Sequence, residues 1–398
     1  MTVTLARAVQ APAGLASAGL ASAALAPAAA TLRPLPRQAV RWSFRAAFAA
    51  PYVVLALVAA RATPTPLLGL TGNQVTLDRA TAALDGGVVQ AIGQLYPLLS
   101  GVLLRFMPFG VQGAAVLGAV AAGVLLQVLA QDMLRRGLRM REVVAFTVAL
   151  GANPLYAFVA LNDLQAFLGI ALFAVAVVDM VRFFAWGDTQ AGFRAGLALM
   201  LSTLLDPMGF VYVGIAALAA PVLDLARHDQ RGIRRANVLV LVFPSVAVAL
   251  STAVLDWMVL HDPFAAIRGT IDVSPQRLAG LHHLFATADG LLLIAMVVAG
   301  ATLALLVGRP GAIALVVALF VGIIGGYAIG LVPIAAAGNV FVTMLSVAIA
   351  ILPPVQSRLT GALVVVLAVL QVPLAWAASS QREVVVEWMH ALVAAVSG

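Results

Sequence analysis

The sequence predicts an all-α, polytopic integral membrane protein with about 11 transmembrane helices and a long first outer loop that contains short interfacial helices. Three observations support this prediction. Of the 398 residues, 63% are hydrophobic and only 10% are charged, whereas about a quarter of the residues in a soluble domain are charged. The mean hydropathy is +1.06. The apolar residues also fall into repeated runs, each close to the ~20 residues that a helix needs to cross a bilayer.

The apolar runs place the predicted spans along the chain. They lie at about 44–61, 111–131, 143–161, 164–184, 193–205, 208–226, 236–259, 289–307, 311–331, 339–355 and 361–379. One long run is interrupted at Asp206-Pro207. Proline removes a helical hydrogen bond and disfavours helix at the residue before it. The interruption therefore predicts either a tight turn between two short helices or a kink in one long helix.

The same pattern divides the chain into four segments. Residues 1–40 are rich in Ala, Pro and Ser, contain Arg and no acid, and are predicted to form a disordered tail. Residues 41–230 form an N-terminal transmembrane module with the outer loop 62–110. Residues 231–379 form the C-terminal transmembrane helices with the outer loop 260–288. Residues 380–398 mix charged and apolar side chains and predict an amphipathic interfacial helix.

The distribution of arginine predicts the orientation. Every basic residue is Arg, and the formal net charge is +7. With a cytoplasmic N-terminus, most Arg residues fall on the cytoplasmic side, as the positive-inside rule requires. A kinked single helix at Asp206 would invert the downstream chain and move the Arg cluster 227–235 outside, so the charge pattern favours the turn. The predicted location is the plasma membrane, the inner membrane of a bacterium. Nucleic acid is excluded as a partner, because no basic domain gathers these residues.

The outer face collects isolated acids, and two of them lie in the first outer loop. Asp78 and Asp85 are seven residues apart, which puts both on one face of a short helix that Gly86-Gly87 would end. Asp78 has a structural explanation, since a carboxylate is stabilised near a helix N-terminus. Asp85 lies at the opposite helix end and lacks that explanation. The functional interpretation makes one of them a general base or a cation ligand at the membrane surface.

Further candidates lie on the same predicted face. Asp206 interrupts an apolar run and is a functional candidate, with a turn residue before proline as the alternative. Arg268 and Arg277 in "HDPFAAIRGTIDVSPQRLAGLHH" could clamp a phosphate, with loop solubility as the alternative. His282 and His283 are adjacent in sequence and point ~100° apart on a helix, so the pair does not readily grip one metal ion.

Several stretches together resemble a known family. The first span is followed by a long outer loop with an early acid, by the Tyr96-Pro97 step in "QLYPLLSGVLLRFMPFG", and by a span that ends in the basic loop "RRGLRMRE". Next come "GANPLYAFVALNDLQAFLGIAL" and "AGLALMLSTLLDPMGFVYV". Over residues 44–230 this arrangement resembles the N-terminal module of the GT-C glycosyltransferases, polytopic enzymes that take a sugar from a polyprenyl-phosphate carrier.

The resemblance implies roles for particular residues. Asp78 matches the acid of the first outer loop, which acts as the base or helps to hold a divalent metal such as Mg²⁺ or Mn²⁺. Asp163 falls where many members carry a second acid. The substrate-binding candidates are Asp85, Tyr96, Asp206, Arg268, Arg277 and His282. The chain departs from the pattern in two ways: Asp78 has no adjacent acid, and Leu98 stands where a second proline is common.

The function that these features predict is transfer of a sugar from a polyprenyl-phosphate carrier to a glycan, lipid or protein acceptor at the outer face. Two alternatives remain open. One is a lipid or small-solute transporter or flippase, with Asp206 and Asp256 along its path and acids at mid-membrane depth. The other is a catalytically inactive GT-C-like scaffold. Convergence of Asp78, Asp163 and the loop from Arg268 to His283 on one outer cavity would favour the enzyme.

Overall fold

The protein is a bundle of helices. The structure, a computed structural model, describes residues 36–62, 67–87, 96–223, 231–309, 311–332, 339–353 and 357–397. Within these ranges every regular element is helical. The α-helices are α1 Gln38–Ala59, α2 Gly72–Asp85, α3 Leu98–Arg105, α4 Val111–Arg135, α5 Met140–Gly151, α6 Pro154–Asn162, α7 Leu164–Trp186, α8 Thr189–Leu205, α9 Gly209–Leu223, α10 Arg231–Leu260, α11 Ala265–Arg268, α12 Pro275–Ala286, α13 Ala288–Leu306, α14 Gly311–Ala328, α15 Asn339–Ile351, α16 Arg358–Ser380 and α17 Glu383–Ser397.

Each predicted span coincides with one of these helices, apart from one that is two helices. The run 143–161 is divided into α5 and α6, which are bent by 54°. Pro154 cannot donate a backbone hydrogen bond and suits the first position of a helix. The Asn153 side chain caps the new helix by accepting the N–H of Leu155. Among the described residues, six helices have the length and apolarity to cross a membrane, or seven if the bent pair is one span. The total of about 11 crossings stays a prediction.

Burial separates central helices from peripheral ones. In α7, 72% of the most apolar 18-residue window is buried, against 11% in α10. Nearly every residue of α15 is buried as well. The apolar surface of α10, which includes Leu239, Phe243 and Leu250, is suited to contact with lipid because the bilayer core is itself apolar. α7 and α15 therefore form the interior of the bundle.

The interruption at Asp206 is a turn, as the arginine pattern predicted. α8 ends at Leu205 and α9 begins at Gly209. A side chain at Gly209 would overlap the backbone of Ser202 and Thr203. The chain therefore folds back on itself at this point, and the kinked single helix is excluded.

The arginine-rich end of the bundle is held by an ionic network. Asp179 and Arg182 pair at 3.3 Å, as their spacing on one helix face predicts, and Arg194 and Asp132 join the network at 3.0 and 2.6 Å. The buried Arg136 guanidinium donates to the carbonyls of Ile349, Ala350 and Leu352. Because a helix leaves its last carbonyls unpaired, Arg136 completes the end of α15.

The two chain ends differ in what the structure describes. The predicted tail, residues 1–40, lies outside the described residues up to position 35, and α1 already begins at Gln38. The predicted C-terminal amphipathic segment forms α17. Its Val385 and Trp388 are buried, and the Trp388 ring packs edge-on against Phe158 at a centroid distance of 5.5 Å. The placement of α17 at a membrane interface stays a prediction.

Candidate functional site

The first outer loop is fastened to the bundle by the start of α2. The buried Asn73 side chain donates to the carbonyl of Leu161 and accepts the N–H of Leu164, both at 2.8 Å. It therefore satisfies backbone groups on both sides of the break between α6 and α7. Buried polar groups left without partners are costly, so this amide fixes both the break and the loop helix.

A second fastening point joins both loop helices to α7. The Gln165 side-chain oxygen accepts hydrogen bonds from Thr76 of α2 at 3.0 Å and from Ser100 of α3 at 3.2 Å. α2 and α3 also pack on each other through small buried residues, including Ala80 and Ala83. α2 and α3 consequently form a layer over the end of the bundle.

Asp78 is not at a helix N-terminus, contrary to the structural explanation that its sequence position suggested. α2 begins six residues earlier, at Gly72, so the helix dipole does not account for this carboxylate. Asp78 is exposed and accepts a hydrogen bond from Gln74 at 2.8 Å. Asp85 is the last residue of α2, and Gly86 caps the helix as predicted.

Asp78 and Asp85 line one open pocket of about 630 Å³. Their shared face is therefore confirmed. The opposite wall comes from the end of α3 and the turn after it, and it includes Arg105 and Met107. The pocket brings two carboxylates and one guanidinium to a surface that is open to solvent. All of its lining residues belong to the outer loop.

Asp163 lies outside this pocket and is buried, with 4% of its surface exposed. One carboxylate oxygen accepts the N–H of Ala166 and caps α7, while the other has no hydrogen-bond partner. A side chain at Gly72 would overlap the carboxylate, so the start of α2 covers it. Burial raises the pKa of Asp163 to about 7, and the hydrogen bond from Ala166 acts in the opposite direction.

Asp206 is the second buried acid, with 2% of its surface exposed. Its Oδ1 accepts the N–H of Met208 at 2.9 Å, and its Oδ2 has no partner. Burial raises the pKa of Asp206 well above its ordinary value. The hydrogen bond from Met208 opposes this rise, and the nearby Asp163 adds to it. Asp163 and Asp206 thus form a buried acid pair.

Tyr96 lies between the buried acid pair and a separate apolar groove. Its ring stacks on Phe210 at a centroid distance of 6.3 Å, and its hydroxyl lies 3.4 Å from the carbonyl of Thr203. Burial and the charge of Asp206 both raise the pKa of Tyr96. The groove has a volume of about 280 Å³ and is lined by Tyr96, Phe210 and the buried Asp256.

The remaining candidates are engaged elsewhere in the fold. The Arg277 guanidinium donates to the carbonyls of Tyr327 and Val332, at 3.2 and 2.8 Å, and contacts Asp272. Arg268 forms an ion pair with Asp262 at 3.0 Å. His282 is exposed on α12. None of the three lines the pocket that holds Asp78, and Asp163 lies outside it too. The convergence on one outer cavity that would favour the enzyme is therefore not observed among the described residues.

The structure therefore divides the predicted site residues into two groups. Asp78 and Asp85 belong to the open pocket, whereas Asp163, Asp206 and Tyr96 belong to the interior beneath it. The important residues that sequence reasoning missed are Gly72, Asn73, Arg105 and Gln165. Gln165 carried a weak signal, because it is a polar residue two positions after Asp163 at the start of an apolar run. The part of the chain that the structure describes contains no group of three or more His, Cys, Asp or Glu residues that could hold a metal ion.

Comparison with known proteins identified no relative. No family model, no curated protein and no solved structure matches this chain significantly.

Proposed function

We propose that this protein is a membrane glycosyltransferase of the GT-C type, which transfers a sugar from a polyprenyl-phosphate carrier to an acceptor at the outer face. The observation that carries the proposal is the open pocket in which Asp78, Asp85 and Arg105 meet. A pocket of this kind offers a proton acceptor beside a cation that suits a phosphate. The resemblance over residues 44–230 supplies the reaction class.

The proposal gives each pocket residue a distinct role. In an inverting transfer, a carboxylate accepts the proton of the acceptor hydroxyl as that oxygen attacks the anomeric carbon. The bond from the anomeric carbon to the phosphate oxygen breaks, and the polyprenyl phosphate leaves with the bonding electron pair. Asp78 is the base in this scheme, since it is exposed in the pocket. Arg105 stabilises the leaving phosphate in place of Arg268 and Arg277, because a guanidinium offers paired donors to phosphate.

Asp163 takes a positioning role instead of a catalytic one. Its carboxylate is buried under Gly72 and caps α7, so it touches neither the pocket nor a substrate in it. It supports the surface on which α2 rests. The resemblance implies that Asp78 and Asp163 are both catalytic. In this proposal Asp78 keeps that role, and Asp163 supports α2 instead.

The pocket is compatible with a divalent metal held by its two carboxylates. Asp78 and Asp85 are two carboxylates, and Mg²⁺ is commonly held by one or two carboxylates together with substrate phosphates. These two residues would hold the ion, which would neutralise charge on the leaving phosphate. Chelation with EDTA followed by addition of Mg²⁺ or Mn²⁺ tests this requirement during turnover.

The decisive experiment measures sugar release from defined carriers. Purified protein in detergent is incubated with a panel of polyprenyl-phosphate hexoses and pentoses, and the polyprenyl phosphate formed is quantified. We expect Asp78→Asn to lower the rate by roughly 10²–10⁴-fold, the usual contribution of a positioned base. Arg105→Gln should lower kcat as well. Asp188→Asn is the matched control, because it changes an Asp that caps α8 and lies outside the pocket.

Two outcomes would count against the proposal. Equal turnover by the wild type and Asp78→Asn would remove Asp78 as the base. A wild type that releases no carrier phosphate from any member of the panel would overturn the transferase itself and favour the inactive scaffold.

The transporter alternative is favoured by one specific observation, the buried acid pair at two helix ends. Ionisable groups buried at broken helices are typical of ion and substrate paths through membranes. This alternative expects labelled polyprenyl phosphate to cross the bilayer of liposomes that contain the protein. Asp206→Asn should then slow the crossing, whereas Asp78→Asn should leave it unchanged.

A further inference from the structure

The buried acid pair has unused hydrogen-bonding capacity. Asp163 and Asp206 are 4% and 2% exposed, and the Oδ2 atom of each lacks a hydrogen-bond partner. Buried carboxylates are costly unless they are paired, bound to a cation or neutralised by a proton. The described arginines do not neutralise Asp163 or Asp206. Their ion pairs are with other carboxylates, which include Asp132, Asp179, Asp262 and Asp272.

The two carboxylates lie against the first turns of α7, although neither residue belongs to that helix. Asp163 accepts the N–H of Ala166, and the Asp206 carboxylate lies against Gly169 so closely that a side chain there would overlap it. Ala166 and Gly169 are three residues apart, hence on one face of α7 and separated by about 4.5 Å along its axis. The acids are therefore near neighbours, which agrees with the electrostatic effect of Asp163 on Asp206.

Two hydroxyl groups complete an all-oxygen cluster. Tyr212 of α9 and Thr343 of α15 are fully buried, their hydroxyls are close enough to interact, and neither oxygen has a hydrogen-bond partner of regular geometry. Tyr212 is within electrostatic reach of both Asp206 and Asp163. The cluster thus joins three central helices and the turn between α8 and α9, at positions that are separate in the sequence.

The charge of the cluster indicates what kind of ion would suit it. The two carboxylates carry two negative charges when ionised. Backbone N–H groups at two helix N-termini donate to them, those of Ala166 in α7 and of Met208 before α9. Each helix N-terminus acts as roughly half a positive charge, so the two together offset about one charge. One further positive charge is enough for balance, which favours a monovalent over a divalent ion.

We propose that Asp163, Asp206, Tyr212 and Thr343 bind a single dehydrated Na⁺ ion. Na⁺ is a hard cation, and hard cations prefer oxygen ligands of this kind. In other membrane proteins, the unwound backbone carbonyls and helix C-terminal ends of broken helices coordinate Na⁺ or protons. The site is independent of the proposed transferase, because neither carboxylate lines the pocket of Asp78 and Asp85.

Thermal unfolding of the purified full-length protein tests the ion site without requiring turnover. NaCl is titrated at pH 8.5, with choline chloride keeping the ionic strength constant. If Na⁺ binds the folded state and not the unfolded state, Tm should rise by about 2 °C for each tenfold increase in Na⁺ concentration above the binding midpoint.

Variants identify the ligands. Asp206→Asn should raise the Na⁺ midpoint at least tenfold, and Thr343→Val and Tyr212→Phe should raise it less while retaining packing. Asp188→Asn should respond like the wild type. If Asp206→Asn does not fold, the Na⁺ midpoints of Thr343→Val and Tyr212→Phe test the site instead.

Three results would overturn the proposal. The first is a wild-type Tm that is the same in NaCl and in choline chloride at pH 8.5. The second is an equal response to KCl, which would exclude a site selective for Na⁺. The third is an unchanged Na⁺ midpoint in the Asp206 variant and in both hydroxyl variants.

Discussion

The open pocket and the buried acid pair lie at the same end of the bundle, yet their carboxylates have opposite surroundings. Asp78 and Asp85 are exposed on one face of a loop helix, whereas Asp163 and Asp206 are enclosed by central helices. An exposed carboxylate can meet a substrate and contributes little to folding. A buried carboxylate is unavailable to substrates and changes stability through its protonation or its ligand. The same residue type therefore serves two purposes a short distance apart.

The connection between the two regions is the first turn of α2. Gly72 covers Asp163, Asn73 bridges the break before α7, and Asp78 follows on the same helix. Disturbing that turn should affect both regions, whereas changes further along α2 should affect the pocket alone. The following predictions test this comparison.

The largest expected effect on stability comes from Asn73→Ala. The substitution leaves the carbonyl of Leu161 and the N–H of Leu164 without the partner that each has now. Each buried group left unsatisfied costs about 1–3 kcal/mol, so the free energy of unfolding should fall by roughly 3 kcal/mol. Chemical unfolding in detergent measures it. Gln74→Ala, at the half-buried neighbouring position, is the control and should change stability by less than about 0.5 kcal/mol. If Asn73→Ala lowers the free energy of unfolding no more than the control does, the first turn of α2 does not connect the two regions.

Gly72→Ala should have an intermediate effect. The added methyl group would overlap the Asp163 carboxylate, so α2 must shift at a cost of roughly 1–3 kcal/mol. Transferase turnover should fall as well, since Asp78 moves with α2. Gly69→Ala is the matched control, because a side chain at Gly69 meets nothing within 4 Å. Equal stability and equal turnover for the two variants would show that the covering contact is unimportant.

The smallest expected effect is the pH dependence of Tm in Na⁺-free buffer. The pKa of Asp163 is about 7 in the folded protein and about 4 in an unfolded chain. The folded state therefore holds the proton more tightly, so this contribution to stability is complete below pH ~4 and is lost as the pH rises to about 7. Asp206 and Tyr212 are the titratable groups that face Asp163, and the raised pKa of Asp206 acts in the same direction.

We expect Tm to decrease by a few degrees between pH 4.5 and 7.5. Asp163→Asn should flatten this decrease, and Asp78→Asn, which alters an exposed acid, should leave it in place. A decrease of the same size in the Asp163 variant would assign the pH dependence to other groups.

Much of the fold follows from local features of the sequence. The predicted spans coincide with helices because apolar runs of this length have few alternatives in a bilayer. The turn at Asp206 was predictable from proline and from the arginine pattern, and the shared face of Asp78 and Asp85 from helical periodicity. The break at Asn153-Pro154 had the same kind of local signal, an Asn cap followed by proline, and it divides the predicted span 143–161 into two helices bent by 54°.

The sequence by itself determined that the chain is helical and apolar, where most of its helices lie, and which acids interrupt the apolar pattern. Tertiary structure decided which of those acids meet. Asn73 contacts residues 88 and 91 positions away, Arg105 faces α2 across the pocket, and Arg277 completes a helix end 50 residues further on. Such contacts depend on how separate helices pack, and helical periodicity carries no information about the partner of a helix end. For that reason Asp78 and Asp85 line an open pocket, whereas Asp163 and Asp206 are buried.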